Sequence, residues 1–168
     1  AINFKIDRDE WFDINKTKVV SLIRNLNFSN GCLSKTMVVE DDKGRQTKIS
    51  SLRIASMANP HIAALQYKIK PINYSGKIEV KSETNGNIIN DGVARYRDLN
   101  QKHLSVVEQG TDKSKSWLLT KTNQSEIKIA QAIKQLVLKN GSIYTEQTHS
   151  KAEQGKISFG VVSEIGKD

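Results

Sequence analysis

The stretch Met57–Val80, MANPHIAALQYKIKPINYSGKIEV, contains both prolines of this 168-residue chain, Pro60 and Pro71. Between the prolines, apolar and polar residues alternate with the period of two that is typical of a β-strand with one buried face. The apolar positions of this alternation are Leu65, Tyr67 and Ile69. Because proline suits strand ends and turns rather than a central strand, the two prolines predict the ends of one strand.

The same alternation recurs along the chain in short segments that are separated by turn signals. The segments VVSLIRNLNF, HLSVVE, SWLLT and ISFGVV are apolar enough for strands, and SNG, EDDKGRQ and ETNGN are typical turns between them. In the segment that follows EDDKGRQ, the alternation changes phase at Ser50 and Ser51, which predicts a β-bulge. Turns every 8 to 14 residues or so predict an all-β fold, a sandwich or barrel of antiparallel strands in one domain over residues 1–168.

Residues 125–139 fit two kinds of secondary structure. Apolar residues in SEIKIAQAIKQLVLKNG lie at helical spacing, with Ser125 as a candidate N-cap and Gly141 beyond the end. The same segment also alternates at Ile127 and Ile129, and predicted strands flank it on both sides. Local rules slightly favour a helix, whereas the context favours a strand, and we predict a strand.

Composition excludes several classes of protein. The net charge is +8, but the lysines are scattered singly and no three basic residues adjoin, which indicates a solvated surface rather than a nucleic-acid interface. No run of about 18 apolar residues is present, so no membrane-spanning helix is expected. Ala1 stands where a Met would begin a gene, which favours a removed signal or a chain that begins inside a longer gene. Cys32 is the single cysteine, so it is interpreted as a small apolar filler in a hairpin.

The residues by themselves show no catalytic or metal site. The three histidines, His61, His103 and His149, lie more than forty residues apart, and no metal-ligand spacing is present. His61 follows Pro60 at a strand start, where capping or turn packing is the favoured role. The carboxylates cluster in turns such as DRDEWFD and EDDKG, where they improve solubility, so a catalytic pair is not favoured. Trp117 alternates with lysines and threonines and is predicted to be a core residue.

The polar segment 91–103, DGVARYRDLNQKH, is the candidate binding region. It has no clear periodicity, and long ordered loops on a rigid sheet are where binding residues concentrate. Its side chains can hydrogen-bond sugar hydroxyls or a partner surface. The candidate residues for a substrate rim or a domain contact are Arg95, Tyr96, Arg97, Asn100 and His103.

The order of the motifs resembles the N-terminal domain of glycoside hydrolase family 65, which includes maltose, trehalose, kojibiose and nigerose phosphorylases and acid trehalases. The resemblance covers about residues 18–138. The motifs that carry it are the spacing L-x-x-x-x-G-x-L (Leu26 to Leu33), KGR (Lys43 to Arg45), S-x-R-x-x-S (Ser51 to Ser56), KPINYSGKI (Lys70 to Ile78), S-x-x-x-G-x-I-x-N (Ser82 to Asn90) and YRDLNQKHL (Tyr96 to Leu104).

The resemblance implies a large antiparallel β-sandwich, a super-sandwich similar to that of galactose mutarotase, which precedes an (α/α)₆ catalytic barrel. The family's catalytic glutamate and its phosphate or water site lie in that barrel, so no catalytic residue is expected in this chain. The sandwich is expected to be truncated, and the chain to be an N-terminal fragment of an enzyme that cleaves α-linked glucose disaccharides by inverting hydrolysis or phosphorolysis.

The resemblance also implies the partners of the chain. The first partner is the missing barrel, which segment 95–103 is expected to face. The second is a disaccharide at the rim that the two domains would share, and a homodimer contact is a further candidate. No cofactor is expected, and inorganic phosphate would be a co-substrate if the parent enzyme is a phosphorylase. Neither the disaccharide nor the compartment, bacterial cytoplasm or periplasm, follows from the sequence.

A second hypothesis is a free-standing carbohydrate-binding β-sandwich. Such a module needs exposed aromatic platforms, and few candidates are available: Trp11, Trp117 and four tyrosines. A long helical continuation of the gene beyond Asp168 would favour the enzyme over the free module.

Overall fold

The computed structural model describes residues 1–90, 92 and 101–167 of the chain. These residues form thirteen β-strands and one short 3₁₀ turn at Ile14–Lys16. The strands are β1 (Ile2–Ile6), β2 (Lys18–Asn27), β3 (Cys32–Glu40), β4 (Gln46–Ala55), β5 (Ala63–Pro71), β6 (Gly76–Asn85), β7 (Leu104–Asp112), β8 (Lys115–Thr122), β9 (Lys128–Lys134), β10 (Leu138–Lys139), β11 (Ser142–Ile143), β12 (Thr148–Glu153) and β13 (Lys156–Ile165).

The chain divides into two compact units. Unit 1 comprises residues 1–3 and 79–162, and unit 2 comprises residues 4–78 together with the chain end from residue 163. Strands β1, β6, β13 and β12 form a four-stranded sheet in the order β1-β6-β13-β12. The expectation of a single domain stays a prediction.

Unit 2 is built around an antiparallel meander, β2-β3-β4-β5, in which each strand pairs with the next along the chain. Strand β5 ends at Pro71, and Pro60 lies in the turn that precedes it, so the strand predicted between the two prolines is confirmed. Beside it, the His61 N–H donates to Asn59 Oδ1 at 3.0 Å, which agrees with the turn role predicted for His61.

The bulge predicted at Ser50 and Ser51 is wrong. Strand β4 keeps an unbroken register with both neighbours there, and the irregularity of the meander lies in β2, between Val19 and Ser21. The change of phase has another cause. Ile49 lies on the buried face of β4, whereas Leu52 and Ile54 are partly exposed on the opposite face, because the strand carries apolar residues on both sides.

The core of unit 2 lies against one face of the meander. Its buried apolar residues are Phe4, Ile6, Met37, Val39, Ile49, Tyr74 and Ile78. Two buried hydroxyls in this core form a hydrogen bond with each other, since Thr47 Oγ1 lies 2.9 Å from Tyr74 Oη. A buried hydroxyl without a partner is costly, so this pair stabilises the packing of Tyr74 on β4.

Unit 1 contains the antiparallel sheet β7-β8-β9. Residues 125–139 contribute β9 and β10, which confirms the predicted strand over the helical alternative. Ser125 caps no helix, because its hydroxyl pairs with that of Thr122 at 2.6 Å, and Thr122 Oγ1 also accepts the Ile127 N–H at 2.9 Å. Pairing of β9 along β8 therefore overrides the local helical spacing.

The fold class predicted from the alternation, an all-β sandwich of antiparallel strands, is confirmed. No α-helix occurs among residues 1–90, 92 and 101–167, and the part of the chain described by the structure has no helix that could span a membrane. The buried apolar residues of unit 1 are Leu118, Ile157, Phe159 and Val161.

Candidate functional site

Of the predicted binding segment 91–103, the structure describes Gly92 and residues 101–103. Arg95, Tyr96, Arg97 and Asn100 lie outside the described residues, and His103 is exposed immediately before β7. Asn90, the residue before the segment, contacts its C-terminal part, because the Asn90 N–H donates to the carbonyl of Gln101 at 3.0 Å.

A single asparagine in the β8–β9 turn holds the chain next to His103. The backbone N–H of Asn123 donates to the His103 carbonyl at 2.9 Å, and its side-chain amide donates to the Lys102 carbonyl at 2.7 Å. The Ser105 hydroxyl donates to Asn123 Oδ1 at 2.6 Å. This exposed histidine therefore sits on backbone that the neighbouring hairpin positions, which suits a contact residue.

A second candidate is an open hollow of about 320 Å³ in unit 2. Phe4 and Phe12 stack in its wall with ring centroids 5.0 Å apart, and the Lys5 ammonium lies 5.1 Å from the Trp11 ring centroid. The charged residues that line it are Lys5, Asp9, Glu10, Asp13, Lys16, Asp41, Asp42, Lys43 and Arg45.

The charges of the hollow are organised by one arginine. Arg45 Nε lies 2.7 Å from Asp41 Oδ2, its Nη1 lies 3.3 Å from Asp7 Oδ2, and its Nη2 is bonded to Asp9. Lys43 Nζ contacts the other oxygen of Asp9 at 2.6 Å. These bonds tie the turn after β1 to the β3–β4 hairpin, as a structural ion cluster does.

The protonation of Asp9 decides what the cluster can do chemically. Hydrogen bonds from Lys43 and from Arg45 hold the pKa of the Asp9 carboxyl below its ordinary value. A glycosidase acid instead needs a carboxyl with a raised pKa so that it keeps its proton near neutrality. Asp9 is thus a carboxylate paired with two basic side chains, and it is unsuited to donate a proton.

The remaining candidates of the sequence do not converge on one place. His149 lies in β12, opposite Gly160 of β13, and its imidazole occupies the space above that glycine. Cys32 begins β3 at a hairpin, as predicted, and is half-buried. Among the described residues, no group of three or more His, Cys, Asp or Glu side chains could hold a metal ion.

Trp117 is not a core residue, so that prediction is wrong. Its side chain is 40% exposed, and the buried face of β8 consists of Ser116, Leu118 and Thr120. The alternation correctly groups Trp117 with Leu119, but it does not show which face of a strand is buried. The indole lies across Gly110, its partner on β7, and a Cβ at that position would overlap the ring. The register that sets Gly110 opposite Trp117 comes from the structure, so the sequence offered no signal for this exposed ring.

Comparison with known proteins identifies the family. The family model for the glycosyl hydrolase family 65 N-terminal domain matches residues 1–166, and the chain belongs to this family. The sequence resemblance is therefore confirmed, over more of the chain than the motifs covered.

Three relatives illustrate the similarity. An uncharacterized glycosyl hydrolase of Mycobacterium tuberculosis is 31% identical over 141 residues, which is 84% of this chain and 11% of the relative. The kojibiose phosphorylase of Halothermothrix orenii is 34% identical over 127 residues, 76% of this chain and 15% of the relative. The alpha,alpha-trehalose phosphorylase of Thermoanaerobacter brockii is 28% identical over 158 residues, 92% of this chain and 20% of the relative. The chain thus spans at most a fifth of the length of these three proteins.

Proposed function

We propose that this family 65 N-terminal domain is a non-catalytic part of a longer enzyme that cleaves α-linked glucose disaccharides by inverting hydrolysis or phosphorolysis. The observation that carries the proposal is the family match over residues 1–166 together with two relatives that are a kojibiose and a trehalose phosphorylase. If the parent protein is a phosphorylase, inorganic phosphate is its co-substrate, and its catalytic glutamate lies outside these residues.

The surface of the meander supports a role in packing against other parts of the parent enzyme. All ten residues of β2 are exposed. On the face that is buried farther along the sheet, a cross-strand row of Leu26, Leu33, Arg53 and Leu65 is also exposed. Several large apolar side chains exposed on one sheet, as here, indicate an interaction site. We propose that the catalytic barrel of the parent chain, or a second copy in a homodimer, contacts this domain.

The chain by itself should release no product from maltose, trehalose or kojibiose, with or without phosphate. The physical reason is that Lys43 and Arg45 hold the pKa of the Asp9 carboxyl below its ordinary value, so Asp9 is not poised as a proton donor. Glucose and glucose 1-phosphate are measured after incubation with the pure chain, and the parent enzyme serves as the positive control. Product that increases in proportion to the pure chain would contradict this proposal.

The loop candidates are proposed to contact substrate or the catalytic barrel, and His103 supports this because it is exposed on an anchored backbone. In the parent enzyme, replacing His103, Arg97 or Asn100 by alanine should raise KM or weaken the domain contact, while the fold is retained. Arg95 and Tyr96 belong to the same proposal. His61→Ala is the matched control, since His61 is an exposed histidine in a turn of unit 2. Unchanged KM, kcat and domain association in all three variants would show that the segment is only a connector.

A further inference from the structure

The exposed face of the sheet β7-β8-β9 carries a flat aromatic platform. Across its three strands, Gly110, Trp117 and Ala132 form one row, in which small residues flank the indole on both sides. Because glycine has no side chain, the ring lies down across β7 instead of standing on the sheet, and it is 40% exposed. An aromatic ring that is flat and open to solvent is a surface on which a planar apolar face can stack.

The orientation of this ring is held by a hydrogen bond. Trp117 Nε1 donates to Glu108 Oε1 at 3.3 Å. Glu108 pairs with Leu119, two positions along the strand from Trp117 on the same face, beside the Val106–Glu108 bulge. A ring held by its neighbours loses little conformational entropy when a ligand stacks on it. The platform is therefore pre-organised before any ligand arrives.

Two lysines face each other on the opposite side of the platform. Lys115 pairs with Lys134 in the cross-strand row that follows the Trp117 row, and both are exposed. Like charges directly opposite each other destabilise a sheet, and among the residues that the structure describes neither lysine forms an ion pair. Asp112, the partner of Lys115 on β7, offsets part of this charge. The platform thus has a carboxylate on one side and an excess of positive charge on the other.

We infer that this face binds a saccharide that carries an anionic group, with a sugar ring stacked on Trp117 and the anionic group beside Lys115 and Lys134. The indole suits the apolar face of a pyranose, and the lysine pair gains a counter-ion. Glu108, on the side of Trp117 away from the lysines, repels an anion, so the charges also set the orientation of the bound ligand. This site is separate from the proposed role of the domain in the parent enzyme, and its failure would leave that role intact.

The test is a titration of the full 168-residue chain with three soluble probes, followed by calorimetry and by tryptophan fluorescence. Trigalacturonate carries carboxylates, sulfated maltotriose carries sulfate esters, and maltotriose is the uncharged reference. At least one anionic probe should bind saturably and about tenfold or more tighter than maltotriose, a difference of about 1.4 kcal/mol. Its affinity should fall as salt is added, because the lysine contacts are exposed and screened.

Variants then locate the site. Trp117→Ala and the double change Lys115→Gln with Lys134→Gln should each weaken the binding about tenfold or more, the equivalent of about 1.4 kcal/mol. Lys128→Gln, on the same face but opposite Lys121 and beyond the Leu119 row, is the matched control and should keep the affinity. The Trp117→Phe variant retains an aromatic ring, so it should still bind the anionic probe measurably. It tests the site if Trp117→Ala fails to fold.

Several results would overturn the inference. The inference fails if no probe binds saturably, or if maltotriose binds as tightly as the anionic probes. It also fails if the Trp117 and lysine variants fold and bind the probes as tightly as the original chain does. An equal loss in Lys128→Gln would mean a diffuse charge effect rather than a site.

Discussion

Replacing Ile49 by alanine should lower the free energy of unfolding by about 2–5 kcal/mol, the usual range for a buried isoleucine. Ile49 is 3% exposed at the centre of the meander, where it pairs with Met37 on β3 and with Ile69 on β5. The truncation leaves a cavity in the core on the buried face of β4. Because β4 is hydrogen-bonded to strands on both sides, the sheet can close this cavity only in part. Urea unfolding followed by circular dichroism measures the change.

The meander itself provides a control for this experiment. Ile23 on β2 has the same side chain but is 68% exposed, so Ile23→Ala should change the free energy of unfolding by less than about 0.5 kcal/mol. Equal losses in the two variants would mean that the meander buries its other face and that the description of its core is wrong.

Replacing Arg45 by alanine should lower the free energy of unfolding by about 1–3 kcal/mol, the cost of leaving partly buried charged partners unsatisfied. The Arg45 side chain is 17% exposed, and it bonds three carboxylates that come from the turn after β1 and from its own hairpin. Its removal leaves Asp41 without its arginine partner and takes away two of the bonds that hold the turn carrying Asp7 and Asp9 to the hairpin. Thermal or urea unfolding of the variant measures the effect.

An exposed ion pair of the same unit is the comparison for Arg45. Lys16 and Glu10 are joined at 2.9 Å, but both side chains are largely in water. Lys16→Ala should therefore leave stability unchanged within error, because an exposed pair gains little in a medium of high dielectric constant. If Arg45→Ala is as harmless as Lys16→Ala, the cluster does not hold the turn to the hairpin.

Strands were predictable from this sequence, whereas the buried sides of strands were predictable only in part. Residues 128–134 could be assigned to a strand against their helical spacing because strands were expected on both sides of them. The faces of β8 could not be assigned, since Trp117 and Leu118 are both apolar and only the packing of unit 1 decides that Leu118 is buried. The error at Ser50 and Ser51 has the same origin, a strand with apolar residues on both faces.

The candidate sites were predictable to different degrees. The composition of segment 91–103 gave five candidates, of which the structure describes only His103, on an anchored backbone, and their role in binding stays a prediction. The Arg45 cluster joins residues up to 38 positions apart, so its partners follow from the fold and not from any local spacing. The platform depends on the register that sets Trp117 opposite Gly110, which sequence alternation does not specify.

The order of the strands in the meander has a consequence for how the chain acquires its structure during synthesis. Every hairpin of β2-β3-β4-β5 joins neighbouring segments, and even its Lys18–Glu40 ion pair spans only 22 positions. The backbone N–H of Glu83, in contrast, donates to the carbonyl of Ala1, 82 positions away. Since closing a longer loop costs more entropy, the short closures are favoured first. The meander can therefore complete its hydrogen-bond ladder as soon as Pro71 has left the ribosome, before β6, the neighbour of β1, has been made.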